Sequence, residues 1–170
     1  IDFGEFEGKY KLYANYTKEQ SIVSINKEDK MNIQLKGTYI DEDTKATYIY
    51  IGLKKDKLKE ISTNYKDKFL SPNVFQWESE NNTTATNAAG KKLLNTEKVH
   101  LFVRKMDEED NVILPFTYFG IGVLDNMRSS QVINTDTGKV NDTLLFDIIL
   151  DNEVPEKYHL DFNIPSEGKH

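Results

Sequence analysis

Val99-His100-Leu101-Phe102-Val103-Arg104 alternates without a break. In an extended chain Val99, Leu101 and Val103 fall on one face and His100, Phe102 and Arg104 on the other, which predicts a strand. The same signal recurs on both sides of it. Upstream, Gly37–Ile40 and Thr47–Leu53 are β-rich and flank the polar turn Asp41-Glu42-Asp43-Thr44, the pattern of a hairpin. Asn73–Ser79 is another strand, starting just after Pro72. Downstream, the charged turn Asp107–Asn111 leads into Ile113–Leu124, a long strand signal whose Gly120 and Gly122 indicate a bulge or a close backbone approach. Asp136-Thr137-Gly138 reads as a turn, and Leu144–Leu150 as a strand buried on nearly all sides.

Helical signals are few. Thr17-Lys18-Glu19-Gln20 is a capping box that opens a short helix to about Asn26. After the polar loop Asn81–Asn87, Ala88–Leu94 holds a helical turn, and Glu153–Ile164 packs a last turn through Tyr158, Leu160 and Phe162. Strands flanked by two or three short helices define an α+β domain. The expected architecture is a curved, mostly antiparallel sheet or open barrel, with the helix after Thr17 packed on its side.

The chain of 170 residues suits one domain. We place it at 10–165, with 1–9 as an arm or linker remnant and 166–170 as a disordered tail whose His170 reads as a tag remnant. Because Ile1 is not Met, the expectation is a fragment of a longer protein. No apolar run approaches the ~18 residues that span a membrane, so no membrane partner is expected. With no cysteine, disulfides, thiolate zinc sites and Cys nucleophiles are excluded, which fits a cytoplasmic location. A net charge of −6 argues against strong non-specific DNA binding, which needs clustered Lys and Arg. It leaves room for a reader that draws its affinity from one pocket.

Catalytic chemistry finds little support. GxSxG, HExxH, GxxxxGK[ST] and GxGxxG are all absent, and His100, His159 and His170 offer no metal-ligand spacing. Glu7-Gly8-Lys9 and Glu167-Gly168-Lys169 have the spacing of a nuclease Glu-x-Lys, but both sit in terminal Gly-containing segments where chance explains them. Asp107-Glu108-Glu109-Asp110 reads as a solvated hairpin tip. No catalytic residue, metal or cofactor is expected.

The most distinctive stretch is Ser71-Pro72-Asn73-Val74-Phe75-Gln76-Trp77-Glu78-Ser79, followed by Glu80-Asn81-Asn82-Thr83-Thr84. Phe75, Trp77 and Ser79 share a strand face, and the only Trp runs directly into a loop of amides and hydroxyls. Core aromatics are the plain reading; an aromatic wall beside polar donors and acceptors, as a nucleobase pocket needs, is the functional one.

That stretch belongs to an ordered series: Leu12-Tyr13-Ala14-Asn15-Tyr16-Thr17, Leu53-Lys54-Lys55, Phe75–Ser79, Gly90, Leu101–Arg104 and Pro115-Phe116-Thr117-Tyr118-Phe119-Gly120. The series resembles, over residues 10 to 125, the uncharacterised-family domain found C-terminal to phospholipase-D-like nuclease and DEAD/DEAH helicase modules. It is most similar to that domain in the SauUSI-type ATP-dependent type IV restriction enzymes. The resemblance implies a PUA-like or SRA-like fold that recognises 5-methylcytosine or 5-hydroxymethylcytosine in DNA, with cleavage and ATP hydrolysis belonging to the parent's other domains. The family pattern has Gln where this chain has Glu80, which would alter any DNA contact made there.

A pocket for a flipped cytosine needs aromatic faces, an acceptor for the N4 amine, donors for N3 and O2, and a slot for the 5-substituent. Phe75, Trp77, Tyr118 and Phe119 are the candidate faces. Glu78, Glu80, Asn81 and Asp125 are candidate acceptors, and Ser79, Thr83 and Thr84 candidate donors. Lys54, Lys55, Lys91, Lys92 and Arg104 are the candidate phosphate contacts. The partners expected are double-stranded DNA containing modified cytosine and the parent's nuclease and helicase domains. Alternatives are an interaction or regulatory module of a helicase or nuclease, a PUA-like RNA binder, and a reader of another DNA modification, such as phosphorothioate or a glucosylated base.

Overall fold

The computed structural model describes residues 6–7, 10–25, 37–54, 66–106, 108–109 and 111–166. In chain order the strands are β1 (Phe6–Glu7), β2 (Tyr10–Lys11), β3 (Asn15–Tyr16), β4 (Thr38–Asp41), β5 (Ala46–Lys54), β6 (Lys68–Ser71), β7 (Val74–Glu78), β8 (Lys98–Met106), β9 (Glu108–Glu109), β10 (Val112–Ile113), β11 (Phe116–Ile133) and β12 (Val140–Leu150). Among the described residues the helices are α1 (Lys18–Ile25) and α2 (Ala88–Leu94), with one 3-10 turn at Glu156–Tyr158.

Eight strands form the main sheet in the order β4-β5-β8-β11-β12-β7-β6, with β3 joined to the start of β11. Among the described residues every pairing in this sheet is antiparallel except β5 with β8, which run parallel. A parallel pair needs a long crossover, and here the crossover carries β6, β7 and α2. The α+β expectation therefore holds, with a mixed sheet. Among the described residues β4 and β6 remain its edges, so the sheet is open rather than closed into a barrel.

Strong curvature follows from the core. Ile49 on β5, Leu101 on β8, Phe119 on β11, Phe146 on β12 and Phe75 on β7 share one buried cluster, although β5 and β7 stand four positions apart in the sheet. Two irregularities in β11 assist the bend. Its register against β8 shifts between Tyr118 and Ile121, around Gly120 at φ +99°, and its register against β12 shifts between Asp125 and Arg128, around Asn126 at φ +51°. Gly122 supplies a close approach: a Cβ there would lie 2.7 Å from the Ile149 carbonyl oxygen.

The opposite face of β5 and β8 is covered as well. Tyr10, Leu12, Tyr48, Tyr50, Phe102 and Tyr118 pack there. Ser21 of α1 ties into them: its carbonyl accepts from the Tyr10 hydroxyl at 2.7 Å, and its Oγ lies 2.5 Å from the Tyr50 hydroxyl. The helix after Thr17 thus sits on the sheet as expected, opened by the reciprocal Thr17–Gln20 cap (2.9 and 3.1 Å). Burial on both faces explains why β8 is aromatic or aliphatic on each side. Leu144–Leu150 differs from expectation, because Leu144, Phe146, Ile148 and Leu150 are buried while Leu145, Asp147 and Ile149 are half-exposed. β6 and the extension of β11 to Ile133 carried no apolar alternation and were not anticipated. Among the described residues no helix is long and apolar enough to cross a membrane.

Candidate functional site

A cleft of about 560 Å³ opens where β4, the end of β7, the loop after it and α2 meet. Its apolar wall is Ile40, Trp77, Ala88, Ala89 and Leu93; its polar groups are Thr38, Tyr39, Glu42, Glu80, Asn81, Thr83 and Lys92. Trp77 and Leu93 belong to the main core, and Ile40 packs against it, so the cleft lies on the concave side.

Local structure fixes each wall. Beyond β7 the chain keeps pairing with β12: the Ser79 N–H donates to Leu144 O at 2.8 Å, the Ser79 Oγ accepts from the Leu144 N–H at 2.9 Å, and the Thr83 N–H donates to Asp142 O at 3.1 Å. The loop is then locked to α2. Asn87 caps the helix by accepting from the Gly90 N–H at 3.0 Å, its side-chain amide donates to Asn82 O at 2.7 Å, and Thr84 Oγ1 accepts from the Asn87 N–H at 3.1 Å. Gly90 has no room for a side chain, because a Cβ would stand 1.6 Å from Thr84 O. The helix rests directly on the loop that carries Thr83.

Two largely buried residues in this wall keep a donor that no described protein group takes up. Trp77 is 4% exposed and Thr83 2% exposed. Neither the Trp77 indole N–H nor the Thr83 hydroxyl has a hydrogen-bond partner among the described residues. The side chains of Thr38, Glu42, Glu80, Asn81 and Lys92 likewise make no bond to a described residue.

The outer side of the same strands behaves oppositely. There the Lys66 ammonium donates to Glu78 Oε2 (3.1 Å), Ser130 Oγ (2.8 Å) and Gln131 O (2.6 Å), and Thr143 Oγ1 donates to Glu78 Oε2 at 2.6 Å. Arg128 donates to Asp147 at 3.0 Å and to Gln76 at 2.7 Å. Those polar groups bond one another, whereas Glu42, Glu80, Asn81 and Lys92 in the cleft are exposed to solvent.

The expected pocket residues divide accordingly. Trp77 and Asn81 line the cleft, joined by Glu80, Thr83 and Lys92. Phe75, Tyr118 and Phe119 are completely buried and lie outside it. Phe75 and Phe119 each pack against Phe69, and Tyr118 bonds the Nδ1 of His100 at 2.8 Å on the far face. Glu78 points to the outer face, since strand alternation sets it opposite Trp77. Ser79 is consumed by the β12 ladder, and Thr84 by the α2 cap. Asp125 is exposed on β11, outside the cleft. Even Trp77 offers little ring face, because it stacks on Phe146 with centroids 6.0 Å apart; Tyr39, at the cleft's edge, packs its ring against Tyr48 on the opposite face of the sheet, with centroids 5.8 Å apart.

Among the expected phosphate contacts, Lys91 and Lys92 lie exposed on α2, where they border a shallow groove shared with Glu42, Leu94 and Asn95. Arg104 lies on the opposite face, its guanidinium 4.4 Å from the Phe116 ring centroid and donating to Leu114 O at 3.1 Å. Lys54 ends β5, and Lys55 falls outside the described residues. The contributions of Thr38, Tyr39, Glu42 and α2's Ala88, Ala89 and Leu93 were missed. Only the capping pattern at Asn87 and the lone Gly90 hinted that α2 would form a wall. Among the described residues no group of three or more His, Cys, Asp or Glu could hold a metal ion.

Fold and cleft together define an α+β domain built on one open, curved sheet with a polar-rimmed concave cleft. The chain belongs to the family described as Domain of unknown function (DUF3427), whose model matches residues 10–162. No curated protein matches it. Among solved structures it is similar to KRYPTONITE in complex with mCHG DNA and SAH, with a TM-score of 0.52 at 9% identity over 89% of this chain and 35% of that one. It is also similar to the MspJI restriction endonuclease in complex with a 27-mer oligonucleotide, with a TM-score of 0.46 at 12% identity over 68% of this chain and 31% of that one. The chain thus spans about a third of the length of these solved chains. The likeness is one of fold, in keeping with the SRA-like α+β class.

Proposed function

We propose that this domain recognises a modified cytosine, flipped from duplex DNA into the concave cleft, and that it directs the nuclease and helicase modules of a SauUSI-type parent to modified DNA. The observation that carries the reading is that two largely buried residues lining the cleft, Trp77 and Thr83, keep an N–H and a hydroxyl without a partner among the described residues, with the acceptor Glu80 in the same lining. Cytosine presents two acceptors, N3 and O2, and one donor group, the N4 amine. Two donors and a carboxylate complement that edge. A neighbour of the same fold, KRYPTONITE, is in complex with mCHG DNA, which supports a DNA ligand. Lys91 and Lys92 stand beside the cleft, where the backbone of a flipped nucleotide would pass.

Chemistry and ATP hydrolysis are assigned to other modules of the parent, and this domain to specificity. Titration with matched duplexes (unmodified, 5-methylated and 5-hydroxymethylated at one cytosine) tests the reading. Modified duplexes are expected to bind at least tenfold tighter than the unmodified one. Equal affinity across the series would refute it.

A further inference from the structure

We propose that the modification this cleft is built for carries several hydroxyls, a sugar-bearing 5-hydroxymethylpyrimidine rather than a bare 5-methyl group; the proposal rests on the reading of the cleft as a modified-base site. Three observations point there.

Size is the first. At about 560 Å³ the cleft falls within the about 300–1,000 Å³ range of pockets that enclose whole drug-sized ligands. A methylated pyrimidine is far smaller and would leave much of it empty.

Hydrogen-bond accounting is the second. The Trp77 N–H, the Thr83 hydroxyl and one carboxylate meet the three polar positions of a cytosine edge. Glu80 is the carboxylate near them in the chain, three residues from each. Glu42 and Asn81, exposed, and Thr38, half-exposed, remain along the cleft with side chains that bond no described residue and are open to a ligand. A methyl group offers them nothing. Sugar hydroxyls both donate and accept, and can bond a carboxylate, an amide and a hydroxyl together.

Charge is the third. Glu42 reaches the lip of the cleft from the β4–β5 turn and also borders the groove of Lys91 and Lys92. An acceptor-only carboxylate facing a polyanion weakens binding unless the ligand supplies donors to it. Hydroxyls on the 5-substituent are such donors. Glu42 is therefore the specificity residue for the substituent, while Trp77, Thr83 and Glu80 serve the base.

The test extends the duplex series to four members: cytosine, 5-methylcytosine, 5-hydroxymethylcytosine and glucosylated 5-hydroxymethylcytosine at the same position. Each is titrated with the wild-type domain and with Glu42→Gln, which sits on an exposed turn and whose melting temperature controls for folding. The glucosylated duplex is expected to bind about tenfold or more tighter than the methylated one, the worth of one hydrogen bond to a charged acceptor. Glu42→Gln is expected to shrink that ratio severalfold. Methylated DNA bound as tightly as glucosylated, with unmodified DNA still rejected, overturns this proposal and leaves the cytosine reading standing. Indifference among all four duplexes overturns the cytosine reading itself.

Discussion

Trp77 combines two demands in one side chain: its ring fills the core against Phe146, and its N–H serves the cleft. Truncation and isosteric change should therefore separate. Trp77→Ala is expected to cost roughly 3–5 kcal/mol of stability, enough to unfold a marginal domain. Trp77→Phe keeps an aromatic ring in the core and removes the donor, at the cost of a small cavity where the indole's second ring stood. It should hold the melting temperature within a few degrees while weakening modified-duplex binding about tenfold; unchanged affinity in that variant would remove Trp77 from the site. The sequence placed Phe75, Trp77 and Ser79 on one face correctly. Which part of that face is core and which is cleft depends on α2 and β4, and no local pattern specifies where those arrive. His100 carries a different expectation. Burial among Tyr10, Tyr48 and Tyr118 pushes its imidazole down to about 4, with Lys98 adding to the effect. The unfolded chain takes up a proton near pH 6.5 that the folded protein refuses until about pH 4. Stability should thus be unaffected by His100 above pH 6.5 and fall by about 3 kcal/mol as pH drops from 6.5 to 4. Denaturant midpoints of wild type and His100→Gln across that window check it: the variant should lose less.

At the level of elements, α2 and the loop before it form one unit. Alanine usually favours a helix over glycine by about 1 kcal/mol. At Gly90 the sign should invert, because the new Cβ would overlap the Thr84 carbonyl. Gly90→Ala is expected to lower the melting temperature by several degrees and to weaken modified-base binding, since the displaced loop carries Thr83. A stabilised variant would show that α2 does not pack as described. The strands were largely legible because β5, β7 and β8 alternate sharply. The far half of β11 was not, since Asp125–Gln131 is polar on both faces and finds its place only by pairing with β12 out to Ile133 opposite Val140. Periodicity reports burial, and a strand that is solvated on both sides gives it nothing to report.

For the molecule as a whole, charge and the single tryptophan decide what can be measured. A net charge of −6 with Lys91 and Lys92 beside the cleft implies few phosphate contacts. The slope of log K against log salt should lie near about −2, two contacts' worth; a slope several times steeper would reveal a basic track elsewhere. The α+β class and the position of the distinctive motif could be read from the sequence. The curvature that brings β4 against the end of β7 could not, because it arises from packing summed over the sheet. Trp77 is the only tryptophan, so its fluorescence reports on the point where core and cleft meet. Titrating the domain with matched duplexes while following that emission tests the central claim most directly. The expected result is a saturable change with the modified duplex and little change with the unmodified one at the same concentrations. An emission indifferent to modification, while binding proceeds by another measure, would place the ligand elsewhere and contradict the account.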